Sequence, residues 1–269
     1  MPYLFKAKTQ EGYIIKVLGE LLQHNIKTAC FEVDEKGLQL RMMDSNRIIL
    51  IDLILNAENF SIYKFKAPRK LYLGLNLTHF HKMLRSIKKK DSIMLFIKSE
   101  NDTDLGIKVL PKENNRVTTS YIKIQSIQNL DIEIPQGYKK TIIVHSNEYQ
   151  KMCKDMNNIS SVINIQSQKF MIKFLCNAGS VYSREVLFGE TDDGDSSDEE
   201  EEENEEFNED FETEQLIRVI KISGLNSTMQ IFPKRGLPLL LKSNIGNLGK
   251  ISIYLKNKAQ IEEDEFKEN

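Results

Sequence analysis

The sequence predicts an α+β chain built from two similar domains joined by an extended connector. Three observations carry this reading. Short alternating or wholly apolar runs dominate the chain, which is the pattern of strands. Only four segments show the 3.6-residue apolar period of a helix, two in each half. The order strand, helix, several strands, helix, several strands occurs twice, and "KDSIMLFIK" after the second helix parallels "LNSTMQIFPK" after the fourth.

In chain order, the first helix spans 12–24 and puts Ile14, Val17, Leu18, Leu21 and Leu22 on one side, with Lys16 off it. Strands follow at 38–42, 48–55 and 71–75. The second helix is read over 77–90, "LTHFHKMLRSIKKK". At 100° per residue its Leu77, Phe80, Leu84 and Ile87 share one side, and Lys82, Arg85 and Lys89 share another. Strands at 93–97, 105–110 and 121–124 complete the first domain, residues 1–124.

The segment 125–140, "QSIQNLDIEIPQGYKK", carries the Pro, Gly and Asn of a linker, with Leu130, Ile132 and Ile134 alternating along it. The second domain, 141–257, has strands at 141–144, 162–165, 170–174, 181–188, 229–232, 239–241 and 251–255. Its helix at 147–159 buries Tyr149, Met152, Cys153, Met156 and Ile159 and shows Lys151 and Lys154. The helix at 212–222 buries Leu216, Val219 and Ile220 and shows Arg218 and Lys221. An acidic insertion covers 190–206, and 258–269 reads as an acidic tail. One basic helix face needs only water opposite it. Three of four helices carry a basic pair three residues apart, and that favours a shared anionic surface.

Charge supports the same reading. The net charge is −2, but residues 190–214 hold 16 acids and no base. The rest of the chain therefore has 23 acids against 37 bases, a balance of +14. A basic body beside a separate acidic block fits a polyanionic partner and a solvated loop too poor in apolar residues to fold alone.

Several classes are set aside. The opening "MPYLFKAKTQ" is mixed rather than signal-like, and no apolar run reaches the ~18 residues of a membrane span. Cys30, Cys153 and Cys176 are odd in number and far apart, which suits buried thiols in a reducing compartment. A soluble intracellular chain is expected. No phosphate-binding glycine motif is present. His79 and His81, two apart on a helix, point about 200° apart and cannot share a metal. Asp44-Ser45 and Asp91-Ser92 have no histidine at a spacing that makes it their base. No catalytic residue, cofactor or metal site is assigned. The absence of tryptophan and of an RNP-type strand argues against an aromatic platform for single strands.

The stretches "TACFEVDEKGLQL", "MMDSNRIIL", "LYLGLNLTHFHKML", "IEIPQGY", "SNEYQKMCKDMNNI", "LPLLL" and "IEEDEF" stand in a fixed order along the chain. As an ordered set they resemble the eukaryotic-type DNA sliding clamps, the proliferating cell nuclear antigen family. A composition rich in Asn, Ile and Lys hints at an AT-rich genome, such as that of a large DNA virus or a protist.

The resemblance implies a DNA polymerase processivity factor without enzymatic activity. Three copies would form a ring of six domains, with sheets outside and helices lining a hole around duplex DNA. DNA contacts are implied at Lys16, Lys82, Arg85, Lys151, Lys154 and Lys221, with Lys89 and Arg218 added. Polymerase, flap nuclease, ligase and an ATP-dependent clamp loader would bring short peptides to a pocket of Met43, Ile48, Leu50, Ile132, Ile134, Leu237, Pro238 and Tyr254. The trimer joint would pair 119–124 with 181–188, through Tyr121, Ile122, Ile124, Val181 and Val186.

The implied location is the nucleus, or a cytoplasmic viral replication site. A checkpoint-type clamp subunit and a monomeric viral processivity factor share the fold and differ in self-association. Lys256-Asn257-Lys258 departs from the family's Ala-Pro-Lys and bears on one wall of the pocket. Lys169 lies near a position the family modifies. Ser196 and Ser197 have acids three residues on, the pattern acid-directed kinases prefer.

Overall fold

The computed structural model describes residues 2–113, 116–128, 130–189 and 206–268. The first half runs β1 (Tyr3–Thr9), α1 (Gly12–Asn25), β2 (Thr28–Asp34), β3 (Gly37–Met43), β4 (Ile49–Asn56), β5 (Ile62–Phe65), β6 (Leu71–Asn76), α2 (Leu77–Leu84), β7 (Ser92–Lys98), β8 (Asn101–Leu110) and β9 (Thr118–Lys123). The second half runs β10 (Ile142–His145), α3 (Ser146–Asn157), β11 (Val162–Gln168), β12 (Met171–Ala178), β13 (Tyr182–Gly189), β14 (Phe207–Glu212), α4 (Thr213–Val219), β15 (Thr228–Phe232), β16 (Leu239–Ile245), β17 (Gly249–Leu255) and α5 (Lys258–Glu268). The repeated order read from the sequence is present. Four strands lay outside that reading: β1, β2, β5 and β14.

The strands form three antiparallel sheets, in the orders β5-β1-β7-β8-β9, β10-β15-β16-β17-β4-β3-β2-β6 and β13-β12-β11-β14. The middle sheet crosses from one half to the other. There β4 and β17 pair over seven residues each, from Leu55 opposite Gly249 to Ile49 opposite Leu255. One apolar core runs through both halves. Helix α1 packs on α2 and, across the halves, on α4 and the 3₁₀ turn that follows it; α3 packs on α4. The helices thus pack against one another beside the sheets, burying Leu18, Leu22, Phe80, Leu84, Met152 and Leu216. Each such side chain contributes ~1.5–3 kcal/mol on burial, which fixes the apolar stripe inward and leaves the polar stripe outward.

Three expectations need correction. Helix α2 stops at Leu84 rather than Lys90. Lys16 Nζ donates to the carbonyls of Arg85 (2.7 Å) and Ile87 (3.1 Å), and the Asp91 carboxylate accepts from the Lys88 amide at 2.9 Å. Carbonyls that a longer helix would use internally are therefore satisfied from outside. Lys89 leaves the helix and lies in the turn behind it.

The fourth helix also divides. After Val219 it tightens into a 3₁₀ turn over Ile220–Gly224. The Arg218 carbonyl accepts instead from Asn25 Nδ2 of α1, at 3.0 Å.

The acidic tail is helical. Asn257 and Gln260 form a reciprocal cap, with Asn257 Oδ1 accepting from the Gln260 amide at 2.7 Å and Gln260 Oε1 accepting from the Asn257 amide at 3.1 Å. Asn257, 3% exposed, also donates to Glu209 of β14 at 3.0 Å, and Lys256 pairs with Asp264 at 2.6 Å. The departure from Ala-Pro-Lys supplies the cap of α5.

Candidate nucleic-acid interface and docking pocket

The eight basic residues singled out in the sequence fall into three environments. Lys82, Arg85, Lys89 and Lys154 are exposed and make no ion pair among the described residues. Lys151 is exposed but bonded to Glu148 one turn back, at 2.7 Å; Lys16 is tied to the end of α2. Lys221 bonds Glu20 of α1 at 2.9 Å, beside His24 and His81. Burial, the largest single influence, raises the Glu20 pKa, but the bond to Lys221, its charge and the nearby His81 and His24 together outweigh it and hold the carboxyl low. For His81, burial lowers the pKa against the pull of Glu20.

Arg218 does not join the basic face. Its guanidinium donates to Asp44 at 2.7 Å, and the Asp44 side chain is 1% exposed. The other oxygen of Asp44 accepts from the amides of Ile48 (2.8 Å) and Ile49 (2.9 Å). A buried carboxylate requires such partners. Asp44 shapes the β3–β4 turn, and Arg218 neutralises it from the other half of the chain.

The connector lies across the middle sheet. The Gln125 amide donates to Gly74 at 2.8 Å, and a Cβ on Gly74 would stand 2.1 Å from the Gln125 carbonyl oxygen, so only glycine allows this approach. Arg41 holds the connector further on, donating to Asp52 at 2.9 Å and to the Ile132 carbonyl at 3.2 Å. Beyond it, Leu50, Tyr254 and Leu240 form a small apolar cluster apart from the main core. Met43, Ile132, Ile134, Tyr138 and Phe232 pack on that cluster and stay partly exposed.

Of the eight expected pocket residues, Ile48 packs instead on the main core. Leu237 and Pro238 stand half-buried in the turn before β16. The Tyr138 hydroxyl donates to the Pro238 carbonyl at 2.6 Å and pins the end of the connector. Tyr138, Leu240 and Phe232 were not singled out in the sequence. Leu240 could have been: in a strand its side chain points to the face opposite Leu239 and Leu241.

At the expected joint, β9 and β13 are each the outermost strand of their sheet. Tyr121 (49% exposed) and Val181 (83%) face outward. Ile122, Ile124 and Val186 pack into their own core. The strand period of two accounts for this inward turn: Ile122 is buried, and Ile124 and Val186 stay partly exposed.

Among the described residues, no group of three or more His, Cys, Asp or Glu could hold a metal ion, and no helix is long and apolar enough to cross a membrane. The three cysteines are buried and unpaired. The acidic insertion, with Ser196 and Ser197, lies outside the described residues apart from Glu206.

Comparison with known proteins adds an independent finding. The family model "proliferating cell nuclear antigen, N-terminal domain" matches residues 4–134, and its C-terminal counterpart matches 133–258. The chain is 27% identical over 259 residues to the proliferating cell nuclear antigen of Chaetomium thermophilum, covering 95% of this chain and 98% of that protein. It is 26% identical over 256 residues to "probable DNA polymerase sliding clamp 1" of Paramecium bursaria Chlorella virus 1, covering 94% and 96%.

Proposed function

Because the chain belongs to the proliferating cell nuclear antigen family, we propose that it is a DNA polymerase processivity factor that encircles duplex DNA as a homotrimeric ring. The supporting observation is that Lys82, Arg85, Lys89 and Lys154 stand unpaired and exposed on, or just behind, helices that pack together beside the sheets. Duplex DNA carries one charge per ~1.7 Å of axis. Contacts made only to phosphates hold a protein on DNA without fixing it at one sequence. A ring held this way slides and keeps its polymerase at the primer end.

Three strand pairings between β9 of one copy and β13 of the next would close the ring, since each is otherwise an open edge. The chain acts as a scaffold, and a separate ATP-dependent loader opens the ring. Partners dock short peptides on the cluster of Leu50, Leu240 and Tyr254, between Met43 and the connector isoleucines. Polymerase, loader, flap nuclease and ligase are the partners this reading implies, in the nucleus or at a viral replication site.

The decisive experiment measures the mass of the purified protein in solution and its stimulation of a polymerase, with loader and ATP, on primed circular DNA. A trimer that lengthens the products carries the proposal. A monomer, or a trimer without effect on product length, overturns it.

A further inference from the structure

We propose that the outer face of the five-stranded sheet, away from the helices, is a binding surface for single-stranded nucleic acid. The register places Lys64 beside Lys6, Lys6 beside Phe96, Phe96 beside Gly106 and Gly106 beside Tyr121. The next outward row runs Lys8, Met94, Lys108, Thr119. Lys6, Lys8, Lys64 and Lys108 make no ion pair among the described residues. Neighbouring strands lie ~4.8 Å apart, and alternate residues along a strand ~6.8 Å apart. Four unpaired ammonium groups therefore share one small area.

An aromatic row crosses the same face. Tyr3 meets Phe96 edge-on at 5.6 Å, and Phe96 meets Tyr121 at 6.1 Å. Lys6 lies over the Tyr3 ring at 5.1 Å and Lys98 over Tyr121 at 5.8 Å. Phe96 is 4% exposed and forms the floor of the row. It can lie flat because a Cβ on Gly106 would come within 2.3 Å of its ring. Tyr3 is partly exposed and Tyr121 is 49% exposed, so both offer ring surface.

Lysines interleaved with accessible rings suit a chain that presents both phosphates and unstacked bases. A duplex would use only the lysines, and an acidic peptide has no need of the rings. The three rings come from β1, β7 and β9, so no local sequence motif announces them.

The matching sheet of the second half shows that this charge is not a general feature of the fold. Its outer face pairs Asn164 with Asp210 and Gln166 with Asn208, and its Lys173 is bonded to Glu185 at 3.3 Å. Pairing at the β9 edge would use main-chain groups in the plane of the sheet, and the Tyr121 ring stands out of that plane. The face would thus stay open on an assembled ring and could take up the template or a displaced strand near the primer end.

The test is fluorescence anisotropy of a labelled 20-nucleotide oligo-dT against the full chain across a salt series. Replacing Lys6, Lys8, Lys64 and Lys108 together with Ala should weaken binding at least tenfold and reduce the log–log salt slope by about 3, at ~0.7 per phosphate. Tyr3→Ala should weaken it several-fold, while Tyr3→Phe should not. The double variant Lys82→Glu, Lys154→Glu should lose less oligo-dT binding than the quadruple variant and should stay sensitive to Tyr3→Ala, which separates this surface from the proposed hole. Solution mass and melting temperature show whether each variant is intact. The inference fails if the parent does not bind oligo-dT. It fails too if the quadruple variant binds as the parent does, or if only the helix variant loses binding. Displacement of oligo-dT by poly-Glu, together with no effect of Tyr3→Ala, would assign the face to an acidic protein segment and overturn it as well.

Discussion

Arg218 and Asp44, 174 residues apart, meet at 2.7 Å and tie the 3₁₀-tightened end of α4 to the β3–β4 turn of the other half. The contact joins the two halves independently of the β4–β17 pairing. Breaking a buried ion pair by removing one partner costs ~3–5 kcal/mol, because the charge left behind is uncompensated. Arg218→Ala should therefore lower the unfolding free energy, read by chemical denaturation, by an amount in that range. Arg218→Lys should recover only part, since a lysine lacks the planar fork. An unfolding free energy within ~0.5 kcal/mol of the parent's would place Arg218 among ordinary surface residues.

Lys82 and Lys154 sit on different halves, both exposed and unpaired. Reversing both to Glu should shorten polymerase products made on primed circles without changing the mass of the assembly. Each phosphate contact contributes ~0.9 to the log–log salt slope on duplex DNA. Losing two contacts per chain should flatten the salt dependence of clamp retention, and the defect should shrink as salt rises. Normal product lengths at low salt would remove these lysines from the DNA-facing set.

Much of this molecule was legible in its residues because long apolar periods report burial directly. The α1 and α3 stripes and most core strands were read that way. What was missed has physical causes. In β14, "FNEDFE" hides Phe207 and Phe211, both buried, inside an acidic run. The short strand β5 has too few residues to show alternation. Helix α2 kept its period past Leu84, and only a tertiary bond from Lys16 reveals where it ends. Arg218 has the spacing of an exposed cation, and its partner lies too far along the chain for any pattern to pair them. Ile122 and Val186 were placed at the joint by strand, whereas the side of a strand depends on register.

The Tyr138 hydroxyl makes the connector's last tie, to Pro238. Burial, then the nearby Tyr254, pushes its phenol well above the usual tyrosine range. A raised value means the neutral form is the one the fold holds. Its contribution is complete below the unfolded value of ~10 and is lost as pH rises from there through the folded value. Tyr138→Phe should remove a bond contributing ~1 kcal/mol and weaken binding of a clamp-docking peptide by up to about tenfold at neutral pH. Amide exchange across 132–140 should speed up in the variant. In the parent the same speeding should appear only above pH 10, after correction for intrinsic exchange. Unchanged exchange in the variant would mean the isoleucines alone hold the connector.

Tyr121 and Ile122 are adjacent on β9, and opposite outcomes are expected from them. Tyr121→Ala keeps the fold and removes a side chain that would pair across the joint, where one such contact is worth ~0.2–1 kcal/mol. Three joints per ring multiply this, so dilution should dissociate the variant at higher concentration than the parent. Ile122→Ala empties a core site at 6% exposure and should cost ~2–5 kcal/mol of stability in the chain itself. Sedimentation over a dilution series reads the first and chemical denaturation reads the second. A Tyr121 variant whose mass holds at every concentration would detach this strand from the joint.

The acidic insertion leaves from Gly189 at the end of β13 and returns at Phe207, where β14 begins. These strands are the two edges of the four-stranded sheet, three strand spacings or roughly 14 Å apart. A deletion of 190–206 therefore needs a bridge of at least about five residues, or it will strain the sheet. With such a Gly/Ser bridge, assembly and polymerase stimulation should be unchanged. The 16 carboxylates of 190–214 act against the +14 carried by the rest of the chain, over a Debye length of ~8 Å at physiological salt. Without most of them, less acid on the chain competes with polyanions for its lysines. Binding to closed circular DNA on which no loader has acted should rise several-fold at low salt and return toward the parent's level as salt is added. Equal binding by the parent and the bridged deletion at low salt would leave the insertion without a role in steering DNA to the hole.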